Sequence, residues 1–391
     1  MNRRRSLSPM LFAIPLLISA VVSANGQQAS SQIVSQNGVT AYHVSAQESQ
    51  ASTIDFVNAK PMPMPANLTS IDAVAAQIEA LLSAPSLTPT RFASGNPGTG
   101  VQSPAFVGEP AAAEGGISPQ EYGTNKHPFS TAKADLNSGG ATATNTFYPY
   151  RAAGKLYFTK SRSTYICSAS FIKRGVVVTA AHCVADFGKS TFYTNWQFIP
   201  GYRNGAAPYG TGTVRSAYVL TSYYNGTDSC YQSGVVCTND VAVLLLNTTT
   251  SGGYIGTSTG WYGYGTGGYS YTNGQAHITQ IGYPAGLDSA AYMERNDSNG
   301  VTNASRSNNT IIGSNMDGGS SGGPWVVNFG IKPTLTGETA GSGASANIVV
   351  GVTSWGYTDI AVKEQGASGF TSTNVTTLVN AACTAVAAAC S

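Results

Sequence analysis

The chain has 391 residues, 10% of them charged and 42% hydrophobic, and a formal net charge of +2. Typical soluble domains carry roughly 25% charged residues; here Gly, Ser, Thr, Asn and Tyr fill that share. The near-neutral balance supplies no field for nucleic acid, and the hydrophobic fraction excludes a chain disordered throughout.

In chain order, the first predicted element is a leader. Arg3, Arg4 and Arg5 precede a short apolar run, Leu11 to Val22, and Val22-Ser23-Ala24 offers small residues for cleavage. This pattern reads as a secretory signal peptide over residues 1–24. The apolar run is too short to span a bilayer, and no later segment is apolar enough, so no membrane partner is expected.

Residues 25–130 form a stretch of different texture. They hold Pro-rich and Ala-rich pieces, no cysteine, and three basic against seven acidic residues; residues 131–391 carry fourteen and eleven. Within it, Ser70 to Ala84 predicts a helix with Ile71, Val74, Ile78, Leu81 and Leu82 on one stripe, capped by Ser70 and ended by Pro85. The composition suits a pro-region that covers a folded domain; a flexible linker is the alternative.

From about Tyr148 the chain turns to short runs of β-branched, aromatic and aliphatic residues separated by turn formers: KLYFTK, YICSASFI, GVVVTAA, DVAVLLLN and SANIVVGVTSW. The expected class is all-β, as a sandwich or a pair of barrels over residues 131–391. The Gly/Tyr-rich stretch Tyr254 to Gly274 reads as loop and strand edge. Six cysteines fall into three local couples: Cys167 with Cys183, Cys230 with Cys237, and Cys383 with Cys390. Export permits disulfides, although six cysteines allow 15 pairings. The last couple poses a problem: across one continuous helix their Cα atoms would lie roughly 10 Å apart, beyond the reach of a disulfide.

Three short stretches carry candidate chemistry. His182 ends the apolar run VVVTAA and directly precedes Cys183; Asp240 directly precedes the strand VAVLLL; Ser320 and Ser321 sit among glycines in GGSSGGPW. A serine hydroxyl needs a base to take its proton, and the base needs a carboxylate to fix its tautomer. Glycines beside the serine allow a sharp turn and leave backbone N–H groups for an oxyanion. Each stretch alone also fits a structural role: a strand-end histidine, a turn aspartate, a Gly/Ser loop.

Together, TAAHC, NDVAVLLL, GGSSGGP and VTSWG resemble the signature blocks of chymotrypsin-like serine peptidases, in the order His, Asp, Ser. YPYRAAGKLYFTKSRSTYICSASFI is similar to the bacterial glutamyl-endopeptidase (V8-like) branch, and the resemblance covers roughly residues 145 to 380. It implies two antiparallel β-barrels with the site between them and a C-terminal helix, which TNVTTLVNAAC would start. It also implies His182, Asp240 and Ser321 as the catalytic triad, with the amides of Gly319 and Ser321 as the oxyanion hole. Asn315, Ser354, Trp355, Gly356 and Gly369 would line the primary substrate pocket. The chain departs from the pattern twice. Ser320 stands where many members carry an aspartate that pairs with a freed α-ammonium, which implies another mode of activation. Ser354 stands where the V8-like branch places its specificity histidine.

An α/β-hydrolase elbow fails on chain order, because no histidine follows Ser321. A catalytically silent, peptidase-like binding protein is the second reading. No metal-ligand motif is present, so neither metal nor cofactor is expected. The expectation is a secreted, monomeric serine endopeptidase acting on protein or peptide substrates, with its own pro-region as inhibitor or folding helper.

Overall fold

The computed structural model describes residues 30–46, 48, 54–63, 91–107, 127–134, 143–230, 237–267, 275–302, 309–330, 345–357 and 361–391. The signal peptide and the helix predicted over residues 70–84 lie outside them.

Two closed six-stranded antiparallel barrels make up the fold. Around the first, Gly212–Leu220, Thr194–Pro200, Ala153–Lys160, Ser163–Lys173, Val176–Thr179 and Ala242–Leu246 pair in that order, and the last pairs with the first. Around the second run Pro324–Val327, Gln275–Gly282, Glu294–Thr302, Asn309–Gly313, Glu364–Gly369 and Ile348–Gly356, closing in the same way. The apolar runs of the sequence become these strands because each is buried on the barrel interior. Leu156, Phe158, Phe171, Val177, Phe198, Val243 and Leu245 are fully buried. Closure leaves no long free edge.

Residues 32–133 add strands to both barrels. Gln32–Gln36 and Val39–His43 form a hairpin paired to Gly212–Leu220, and Lys60–Pro61 lies parallel to Ser163–Lys173. Arg91–Ala93 pairs with Gly263–Thr266, and Phe129–Lys133 pairs with Glu294–Thr302. In the Gly/Tyr-rich stretch, a short helix, Gly256–Thr259, precedes the strand Gly263–Thr266.

The helix Val375–Ala385 opens at Asn374, whose side chain accepts the Val375 N–H. Its buried stripe, Val375, Leu378, Val379 and Ala382, packs on Gly212–Leu220 and Ala242–Leu246. It ends at Ala385 before a separate 3-10 turn, Ala387–Ala389. That break solves the spacing problem: the Cα atoms of Cys383 and Cys390 are 5.7 Å apart and the two are bonded. Cys167–Cys183 and Cys230–Cys237 are also bonded, and no free cysteine remains.

Where Phe129–Lys133 joins the second barrel, Lys133 pairs with Asp288 at 3.0 Å and Glu294 is buried beside them. Burial first, then hydrogen bonding and proximity to Asp288, pushes the Glu294 carboxyl from 4.5 up to about 8. Between these values the folded chain keeps a proton that the unfolded chain releases. Stability therefore falls as pH rises through that window, by up to a few kcal/mol. Glu294→Gln is expected to raise the melting temperature at pH 8.5 by several degrees and leave it unchanged at pH 4. Equal melting of both proteins at pH 8.5 would show that the carboxyl is not held protonated.

Candidate active site

The first barrel's register brings His182 and Asp240 together. Ala242 pairs with Thr179 across antiparallel strands, so the residues just after Thr179 face those just before Ala242. His182 sits in a 3-10 turn, Ala181–Cys183, and the Cys183–Cys167 bond ties that turn to the neighbouring strand. Closing a loop of this separation, 16 residues, is worth about 3 kcal/mol in chain entropy.

Asp240 is 2% exposed and His182 4%. One carboxylate oxygen of Asp240 accepts the backbone N–H of His182 at 2.8 Å; the other lies 2.8 Å from His182 Nδ1. That second oxygen also accepts the Ser354 hydroxyl at 2.5 Å. A carboxylate this buried needs such donors. With Nδ1–H committed to Asp240, the lone pair of His182 lies on Nε2.

Backbone bonds tie Ser321 and Gly322 to the strands beside these groups. The Ser321 carbonyl accepts the Ser168 N–H at 2.7 Å, next to Cys167. The N–H of Gly322 donates to Thr353 at 2.8 Å, next to Ser354. Gly322 has φ +78°, and a Cβ there would lie 2.0 Å from Thr179 Oγ1, so only glycine fits against this strand end. Ser321 Oγ and His182 Nε2 are both buried and without a hydrogen-bond partner among the described residues. Such orphaned buried polar atoms are rare in native proteins and call for an explanation.

The two serines differ in their commitments. Ser320 Oγ donates to the Asp317 carbonyl at 2.6 Å and receives the Gln365 side-chain amide at 3.3 Å. Gly319, at φ +97°, donates its N–H to no acceptor among the described residues, and neither does Ser321. The Asp317 side chain accepts the Gly286 N–H at 2.9 Å, fastening the loop that carries Ser321 to the loop after Gln275–Gly282; burial pushes its carboxyl up.

Of the predicted pocket residues, Ser354 bonds to Asp240, and Trp355 and Gly356 follow it on one strand. Asn315 carries a buried side-chain oxygen without a partner among the described residues. Gly369 falls elsewhere: it pairs with Gly351, while Gly366 is the residue opposite Trp355. A Cβ on Gly366 would come within 2.0 Å of the Trp355 ring. Sequence reasoning also missed Gln365, opposite Gly356. Its amide nitrogen donates to the Met316 carbonyl at 2.7 Å and its oxygen accepts from Gln280 at 2.5 Å. The other histidines have their own neighbours: His43 with Ser216 at 2.9 Å, His127 with Glu364 at 3.0 Å, and His277 with Asn299 at 2.9 Å.

Among curated proteins, the chain is 31% identical over 101 residues to an extracellular metalloprotease of Bacillus subtilis (strain 168). That match covers 25% of this chain and 31% of that protein, so the chain spans about a third of the length of the curated relative it matches. Two clusters of metal-type donors occur among the described residues, Cys167–His182–Cys183 and Asp228–Cys230–Cys237. Both sulfurs of each are held in a disulfide, which leaves no thiolate for a metal. Among solved structures, the protease Anisep from Arthrobacter nicotinovorans is 25% identical, with 59% of this chain and 95% of that one covered at a TM-score of 0.46. A Glu endopeptidase is 18% identical, with 64% and 95% covered at 0.45. The trypsin family model matches residues 137–381, more than half of the sequence, and the chain belongs to that family.

Proposed function

We propose that the protein is a secreted serine endopeptidase with a pro-region. The observation that carries this reading is the buried, singly oriented His182. Its Nδ1 is spent on Asp240, while its Nε2 and the Ser321 hydroxyl have no hydrogen-bond partner among the described residues. Ser321 Oγ attacks the scissile carbonyl as His182 Nε2 takes its proton. Asp240 holds the imidazole and stabilises the imidazolium, and Ser354 helps hold the carboxylate. The N–H groups of Gly319 and Ser321 receive the oxyanion. His182 then returns the proton to the leaving amine, and water, activated by the same base, releases the acyl group.

Three disulfides suit an oxidising compartment. No helix among the described residues is long and apolar enough to cross a membrane. The pro-region reading is supported by a strand laid beside the nucleophile loop. Lys60–Pro61 runs along Tyr165–Ile166, and the Met62 N–H donates to the Ile166 carbonyl at 2.9 Å. Met62 is buried, and its carbonyl lies 3.1 Å from where a Cβ on Gly318 would sit. An extended segment added to a sheet edge is how many domains hold a peptide, and here it blocks that edge until it is cut away.

One experiment tests both readings. The purified secreted form is treated with a serine-directed fluorophosphonate, its N-terminus is sequenced, and its cleavages are profiled on a peptide library. Labelling at Ser321, cleavage of the library and a start beyond Met62 are expected. No label and no cleavage would leave a catalytically silent binding protein; an active form that retains Met62 would overturn the pro-region role.

A further inference from the structure

Residue 320 is a serine and offers no carboxylate, so the loop before Ser321 is held by other groups. Resting on the serine-endopeptidase reading, we propose that Ser168 is a positioning residue that sets the oxyanion loop in its place. Ser168 belongs to Ser163–Lys173 of the first barrel, and its three polar groups make four hydrogen bonds. Its hydroxyl donates to the Gly319 carbonyl at 2.9 Å and accepts the Tyr283 N–H at 2.9 Å. Its own N–H donates to the Ser321 carbonyl at 2.7 Å, and its carbonyl accepts the Thr179 hydroxyl at 2.9 Å. The Ser168 hydroxyl thus joins the loop before Ser321 to the end of Gln275–Gly282 in the second barrel, while the backbone of the same residue holds the strand that precedes His182.

The consequence falls on the Gly319 N–H. The carbonyl of Gly318 accepts the Ala285 N–H at 2.8 Å. A trans peptide points its C=O and N–H in opposite directions, so the Gly319 N–H faces away from Ala285. The next carbonyl, that of Gly319, is held by Ser168. With both flanking carbonyls pinned, glycine's rotational freedom is removed at the one residue whose N–H must stay aimed. Ser168 is 1% exposed, so these bonds are shielded from competing water. Ser320 completes the loop through neutral bonds to Asp317 and Gln365. The loop is held by hydroxyls and amides already present before any N-terminus is freed, and activation reduces to clearing the edge occupied by Lys60–Met62.

The test compares wild type, Ser168→Ala and Ser170→Ala. Ser170 is on the same strand, and its buried hydroxyl has no hydrogen-bond partner among the described residues, so it controls for loss of a buried hydroxyl there. Active sites are counted by titration in each preparation. Ser168→Ala is expected to lower kcat per titrated site by about 10- to 100-fold, a part of what losing one oxyanion donor costs. KM should stay within about threefold, and the Ki of a peptide aldehyde, which needs the oxyanion hole, should rise by the same factor as kcat falls. Ser170→Ala should match wild type. A Ser168→Ala kcat per site within threefold of wild type overturns the proposal. So does a loss explained wholly by fewer titratable sites, or a kcat loss with unchanged aldehyde affinity. If wild type neither turns over nor labels, the endopeptidase reading has failed and this proposal falls with it.

Discussion

Ser321→Ala is expected to abolish turnover, with kcat falling by about 10⁴- to 10⁶-fold, the range known for loss of an activated nucleophile. Ser320→Ala, one residue away, is expected to keep at least about a tenth of the wild-type rate. The contrast follows from where each hydroxyl's bonds go. Ser320 Oγ is spent on the Asp317 carbonyl and the Gln365 amide, and it is not available to a substrate. Losing it removes neutral hydrogen bonds worth about 1 kcal/mol each. The loop keeps its bonds from Gly323 N–H to the Ser320 carbonyl and from Gln365 to the Met316 carbonyl. Ser321 Oγ has no bond to lose among the described residues, so Ser321→Ala should fold at least as stably as wild type. Steady-state kinetics, fluorophosphonate labelling and thermal unfolding of the three proteins check this. An active Ser321→Ala paired with a dead Ser320→Ala would reassign the nucleophile.

The features that could be read from the sequence are those encoded within a few residues. Asp240 precedes its apolar strand, His182 follows one, and Ser321 lies in a glycine run; each needs only its own neighbours to be recognised. The barrel strands were legible for the same reason, since VVVT and AVLLL are apolar on nearly every residue and both become wholly buried. The Ala-rich end of the chain was half legible. TNVTTLVNAAC reads as the start of a helix and leaves its end open; the chain leaves helical geometry at Val386 (φ −146°, ψ 90°), which lets Cys383 and Cys390 meet.

What stayed hidden depends on register between distant segments. The glycine opposite Trp355 is Gly366 because the pairing of Ile348–Gly356 with Glu364–Gly369 shifts between Thr353 and Trp355. No local pattern announces that shift. Gln280 and Gln365 look like surface residues by type, yet both are buried and bonded to each other across the second barrel. Ser168 is one serine in a chain rich in them; its four bonds reach residues 11, 115, 151 and 153 positions away or within its own barrel. Lys60–Pro61 is a two-residue strand inside a Pro-rich piece, and only the edge it pairs with makes it a strand.

Asp240→Asn is the second large effect expected. The carboxylate accepts three donors: the His182 backbone N–H on one oxygen, and His182 Nδ1–H with the Ser354 hydroxyl on the other. An asparagine has one oxygen and one NH₂. If the NH₂ faces Nδ1, the imidazole must take the tautomer with its proton on Nε2, and the base toward Ser321 is lost. If the NH₂ faces the backbone N–H instead, two donors oppose each other in a buried site, and no negative charge remains to stabilise the imidazolium. The first arrangement avoids that clash, and kcat should fall by about 10⁴-fold, the size known for this change in a Ser-His-Asp triad. KM should change little, because Asp240 is buried behind His182. Ser354→Ala removes one of the three donors and leaves the charge and the tautomer intact, so a loss of only about tenfold is expected. The ordering of the two variants is the sharper check. A Ser354→Ala protein as impaired as Asp240→Asn would mean that the hydroxyl, not the carboxylate charge, governs the histidine.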